Sequence, residues 1–227
     1  MRALIFVLPL VLAACAARPL TEAERAFTET VAGDAIDIDR VTIVKGAAVG
    51  LLNAEIPVRP RTTCRQKLLP PRSEPASGTY PAFVIGERIY FTRRFWRDDF
   101  LADYPDAMNL RVAMRFAHEM THVWQWQERQ KTGYHPFKAV SEHIEKDDPY
   151  LTEIDPEKGF LDYAYEQQGI LVEEFVCCRA LDPDGARTDK LRALVAEVFP
   201  AAARDEEVPR DALRLPWPEA DIEGICG

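Results

Sequence analysis

Ala117-His118-Glu119-Met120-Thr121-His122-Val123 carries the pattern HExxH inside the strongest helical segment of the sequence, and the reading of the whole chain turns on it. Four residues of an α-helix make slightly more than one turn. The imidazoles of His118 and His122 therefore leave from one face and can take two adjacent corners of a zinc tetrahedron. Glu119 falls on a neighbouring part of that face, near enough to reach a water at the metal without being a ligand. Two of the four histidines of the 227-residue chain lie in this motif. Phe116 and Val123 are apolar and Met120 and Thr121 uncharged, as a helix buried around a metal requires.

Outward from the motif, Pro105 and Asp106 open a helical pattern that runs through LRVAMRFAHEMTHVWQWQERQK to a stop at Gly133. Arg129 and Lys131 fall in its last turn, favourably placed against the helix dipole. A catalytic zinc takes three protein ligands and keeps one position open. Val123, Trp124, Gln125 and Trp126 follow His122, so there is no HxxGxxH continuation and the third ligand must come from elsewhere. A second strong helix, expected from about Asp162 to Leu181, offers Glu166 and Glu173, seven residues apart and on one face with Gly169 and Ile170. Glu166 is preferred, because Gly169 three residues on lets two helices approach closely across a metal. Glu173 is the alternative. His135 and His143 lie in a charged stretch, Tyr134 to Gly159, broken by Pro136, Pro149 and Pro156, where a surface imidazole is the default.

The flanks set the context. Met1 to Ala14 has a lone positive charge at Arg2 and then an unbroken apolar run, too short to span a bilayer and read as a signal peptide. Leu12-Ala13-Ala14-Cys15 has the form of a bacterial lipobox, which makes Cys15 the expected lipidation site. This predicts an envelope protein anchored by acyl chains on the periplasmic side. Ala16 rather than Asp after the cysteine favours the outer membrane. The formal net charge of −9 argues against nucleic acid and anionic head groups as partners.

Cys64, Cys177, Cys178 and Cys226 are an even set in an oxidising compartment and lack metal-binding CxxC spacing. Adjacent cysteines bridge each other only under strain, so Cys177 and Cys178 are expected to pair separately, one with Cys64 and one with Cys226. The order stays open.

Along the chain, Thr21-Glu22-Ala23-Glu24 has the form of a capping box for a helix to about Val31. Asp34 to Val49 alternates weakly, and Pro57 to Pro81 reads as loop. Phe83 to Thr92 (FVIGERIYFT) reads as a hairpin or a bent strand with Gly86 and Glu87 in its middle. A short helix is expected near Val140 to Lys146, and another from Thr188 to Phe199. The Pro-rich tail is expected to pack back through Trp217. The expected fold class is α+β and predominantly helical, with a small sheet or hairpin beside the HExxH helix. The expected divisions are a signal peptide over 1–14, an arm and Pro-rich loop over 15–79, a domain over 80–200 and a tail over 201–227.

AHEMTHVWQWQ followed by FLDYAYEQQGILVEEF resembles the metallopeptidase domain of the DUF4157 type, which includes Vgr-related proteins and domains associated with contractile injection systems. The likeness runs from about Tyr80 to Arg179. It implies a zincin-like core of gluzincin habit, with the third ligand, here Glu166, on a second helix. The resulting expectation is a membrane-anchored peptidase that holds one zinc ion and acts on a peptide or protein substrate, with Glu119 as general base. The strand near Ile89 to Thr92 would align the peptide, and Tyr163, Tyr165 or His143 would stabilise the oxyanion. The alternatives are a non-catalytic zinc-binding envelope lipoprotein with a structural or assembly role, or an injection-system component.

Overall fold

Hydrophobic patterning divides the chain into helices that bury a face and short strands, of which β6 buries alternate residues. The computed structural model describes residues 17–46, 53–145, 148–204 and 208–227. The signal peptide and Cys15 lie outside the described residues, as does the side chain of His143. The strands are β1 (Ala17–Pro19), β2 (Thr42–Lys45), β3 (Asn53–Ile56), β4 (Ala76–Thr79), β5 (Ala82–Ile85), β6 (Arg88–Phe91), β7 (Met108–Asn109) and β8 (Leu213–Arg214). The helices are α1 (Glu22–Ala32), α2 (Cys64–Lys67), α3 (Leu110–Gln127), α4 (Arg129–Thr132), α5 (Pro136–Glu145), α6 (Tyr165–Leu181) and α7 (Ala186–Ala196). The fold is α+β and predominantly helical.

The main sheet has the order β1-β2-β6-β5, with β2 parallel to β6 and the other pairs antiparallel. Ile43 pairs with Ile89 across the parallel pair, and both are fully buried. They belong to one hydrophobic core with Phe91, Phe116, Met120 and Val123, so α3 lies against the sheet. The β5–β6 hairpin turns at Gly86-Glu87, where Gly86 has φ +64°, a conformation that favours glycine. β6 is flanked on both sides, so it offers no edge to a peptide. The outer strands are β1 and β5, and among the described residues no strand pairs with the free edge of β5. The expected substrate-aligning strand at Ile89 to Thr92 is corrected accordingly.

The N-terminal stretch is part of this core. Thr21 and Glu24 close the capping box of α1: the Thr21 hydroxyl accepts from the Glu24 N–H, and the Glu24 carboxylate accepts from the Thr21 N–H. The buried Glu24 also takes a bidentate pair from Arg18 at 2.7 Å and the Phe100 N–H at 2.9 Å. Leu20, Phe27 and Val31 share one core cluster with α3 and α6, so residue 80 is not a boundary of the core.

Residues 57–81, read as loop, contain α2 and β4, which pairs with β3. α2 is too short to signal itself by periodicity. It is capped from outside: the buried Glu174 of α6 accepts the Cys64 and Arg65 N–H groups at 3.0 and 2.9 Å. Burial pushes the Glu174 carboxyl up, against Arg187 and the backbone donors.

The motif helix begins later than expected. Asn109 rather than Asp106 caps α3, its side chain accepting from the Val112 N–H at 3.2 Å, and the chain breaks at Glu128 before α4 ends at Gly133 (φ +65°). The Gln127 amide clamps the far end, accepting from the Asp37 N–H and donating to the Asp37 carbonyl.

The disulfides are Cys64–Cys177 and Cys178–Cys226, the pairing that the sequence left open. The first ties α2 to α6, and the second ties the tail to α6. The tail also lays Trp217 under the Arg61 guanidinium. Cross-links stabilise chiefly by restricting the unfolded chain, and a separation of 48 residues corresponds to about 4 kcal/mol. The Cys178→Ser, Cys226→Ser variant is expected to lose stability of that order in a urea titration; a loss under about 1 kcal/mol would show that the tail is held by its other contacts.

Candidate metal centre

Three elements bring the motif together. α3 is buried almost all round from Ala113 to Gln125, which fixes its rotation and aims His118 and His122 at α6. α6 presents Glu166 in its first turn. The N-terminus of α6 is capped by a carboxylate from α5: Glu142 accepts the Tyr165 and Glu166 N–H groups at 2.9 and 3.1 Å.

His118 Nε2 lies 3.0 Å from His122 Nε2 and 3.2 Å from Glu166 Oε2, and His122 Nε2 lies 3.6 Å from Glu166 Oε1. One donor atom from each of the three buried residues fits within 4.8 Å of the other two. Ligands at zinc bond lengths in a tetrahedron stand about 3.3 Å apart. The donor types and their spacing both fit zinc.

The ring orientations have identifiable causes. His122 Nδ1 pairs with Gln125 Oε1 at 2.8 Å, and Gln125 Nε2 donates to Gln168 Oε1 at 2.8 Å and to the Tyr165 carbonyl at 3.0 Å. Gln168 donates in turn to the Tyr163 carbonyl. This chain holds the His122 ring with Nε2 facing the centre. On the other ring, His118 Nδ1 is 3.5 Å from Glu173 Oε1, too long for a good hydrogen bond but close enough for the charge to orient the imidazole. Glu173 thus faces the nitrogen opposite the one that meets Glu166. Burial alone would raise the Glu173 carboxyl, but Arg65, which donates to it at 3.1 Å, outweighs burial together with His118 and Arg115 and holds it below the usual range.

Gly169 is the contact point between the helices. A Cβ there would stand 2.7 Å from His118 Cε1 and Nδ1, so the ring or the helix would have to move. Gly169→Ala is expected to weaken zinc binding by about 10-fold or more and to destabilise the fold by about 1–3 kcal/mol, read by chelator competition and denaturant titration. Unchanged zinc affinity would show that the ring has room.

Charge at the centre is unbalanced. Burial raises the Glu119 carboxyl above its ordinary range, although the two imidazoles pull it down. Burial alone would lower His122, but the Glu166 carboxylate overrides it and pushes the imidazole up to about 9. Two imidazoles and a carboxylate in contact hold a proton, which a divalent cation can displace.

Among the residues expected to stabilise an oxyanion, Tyr163 is turned away, its hydroxyl accepting from the Asp155 N–H at 2.7 Å. Tyr165 points its hydroxyl toward the Thr132 carbonyl. His135 is exposed. The tyrosines that feel the charge of the centre are instead Tyr150 and Tyr134, the latter stacked edge-on against Tyr165, and the sequence reading missed both. Tyr150 has its ring centroid 6.3 Å from that of His118. Burial and then the Glu166 charge push the Tyr150 hydroxyl well up and Tyr134 to about 12, so both stay protonated donors at neutral pH. No local motif marks them, because both come from irregular connections.

No family model matches the chain, and no curated protein matches it. Among solved structures it is similar to the effector domain of Pseudomonas aeruginosa VgrG2b, at 22% sequence identity, with 88% of this chain and 85% of that chain covered and a TM-score of 0.49.

Proposed function

We propose that this chain is a zinc metallopeptidase of the bacterial envelope, anchored through Cys15 and hydrolysing peptide bonds. The observation that carries the reading is the meeting of His118 Nε2, His122 Nε2 and the Glu166 carboxylate, with Glu119 buried beside them. His118, His122 and Glu166 would hold one zinc ion, which when bound supplies a Lewis acid for the scissile carbonyl and makes water acidic enough to attack.

Glu119 takes the proton of the attacking water on its carboxylate and delivers it to the leaving amine. Its burial suits the first step, since a carboxyl whose proton affinity is raised is a stronger base toward the water. Gln125 and Glu173 hold the two imidazoles in place. Tyr150 and Tyr134 bring hydroxyl donors toward the carbonyl oxygen as it gains charge. The outer edge of β5 is available to pair with an extended substrate backbone.

The test is purified protein assayed for zinc and incubated with a broad peptide library. About one zinc per chain, together with cleavage that a chelator stops, is the expected result. Protein that takes up zinc and cleaves nothing would leave a structural centre; protein that takes up none would remove the reading altogether.

A further inference from the structure

Above the two histidines the same face of α3 carries arginines. Arg111 and Arg115 precede His118 by seven and three residues, so helical periodicity sets them on one face of α3 with His118 and His122. Arg115 is buried over much of its length against Phe95, its guanidinium 5.0 Å from that ring. Neither arginine donates a hydrogen bond or forms an ion pair among the described residues. The one carboxylate that both feel most, Glu173, is already bonded to Arg65. In a chain of net charge −9, two arginines beside the metal centre with no carboxylate bonded directly to either stand out.

Arg115 also borders open space. A cavity of about 250 Å³ is lined by Arg94, Phe95, Trp96, Arg97, Phe100 and Arg115. The nearby acidic side chains are engaged elsewhere: Asp98 accepts from Trp96 Nε1, Asp99 accepts from the Leu101 N–H, and Glu24 is held by Arg18. Burial and then the neighbouring Arg111 lower the Arg115 guanidinium, against the pull of Glu173 and Glu119. A planar guanidinium with an aromatic floor and no internal partner is suited to grip a carboxylate.

We propose that Arg115, with Arg111, Arg94 and Arg97, forms a subsite for a carboxylate of the substrate. The proposal rests on the peptidase reading and names its substrate class. Arg115 is displaced from the His118–His122 pair by about 7 Å along the helix axis, or about two residues of extended peptide. The anion is therefore an acidic side chain about two residues from the scissile bond, or the C-terminal carboxylate of a short stretch beyond it.

Binding can be measured without turnover on the zinc-loaded Glu119→Gln protein. Three fluorescently labelled pools of randomised octapeptides serve as probes: one neutral and amidated, one amidated with a single glutamate, and one neutral with a free C-terminus. One anionic pool is expected to bind about 10-fold more tightly than the neutral pool at low salt, and which one it is identifies the source of the carboxylate. Adding Arg111→Gln and Arg115→Gln is expected to bring that ratio close to one. If the double variant does not fold, the exposed Arg111→Gln change alone should reduce the preference and its salt dependence. Equal binding of the three pools, no binding of any, or a preference that survives these changes in folded protein would overturn the proposal. Because the readout is binding, failure of the wild-type chain to cleave peptides would count against the peptidase reading and leave this result to stand or fall separately.

Discussion

Glu119→Gln is expected to lower kcat by about 1000-fold or more while the zinc content per chain stays the same. Glutamine keeps the shape of glutamate but cannot accept a proton, so the change removes one function and little volume. Glu119 makes no approach to the donor atoms of the kind that Glu166 makes, and the three-residue donor cluster does not include it. Removing a buried ionisable group whose proton affinity burial has raised also leaves no unpaired charge behind, so the fold should hold. Steady-state rates on the best library peptide, set beside elemental analysis of the same preparation, decide the matter. Full activity in the variant would rule out Glu119 as the base, and loss of zinc would make it a ligand.

His118→Ala is expected to empty the centre: zinc falls from about one per chain to a trace, with affinity reduced at least about 100-fold. His118 touches both of the other donors and packs its ring on Gly169, so its removal opens the centre from the middle. Glu166→Gln should behave similarly. Glu173→Gln should keep zinc at full stoichiometry and lose only about 10- to 100-fold in affinity, because Glu173 orients His118 from the far nitrogen. The reverse pattern would move the third ligand to Glu173. Zinc uptake by the wild-type protein near pH 7.5 should release about one proton, since the metal-free cluster keeps His122 protonated up to about 9. Affinity therefore falls as the pH is lowered. Calorimetry in buffers of different ionisation enthalpy measures that release directly.

Much of the local structure was legible because its causes are local. The capping box at Thr21 and Glu24, the turn at Gly86 and the four-residue spacing of His118 and His122 each depend on contacts within one turn or one hairpin. Boundaries were less legible: Asp106 is as plausible a cap as Asn109 until the chain is folded, and α2, besides its local Thr63 cap, has its first N–H groups held by Glu174, more than a hundred residues away. Tyr134, Tyr150 and the arginines of the cleft carried no signal, because ordinary residues acquire a role only from what surrounds them.

What this sequence determined by itself is that two imidazoles share one helical face with a carboxylate beside them, and that Cys177 and Cys178 must find separate partners. Both follow from covalent geometry and the helical period. Only the tertiary structure decided that Glu166 meets the inner nitrogens while Glu173 meets the outer one, and that Cys64 takes Cys177 while Cys226 takes Cys178. Those outcomes depend on how α3 and α6 are rotated and how closely they approach, and the limit there is set by the missing side chain of Gly169 against the ring of His118.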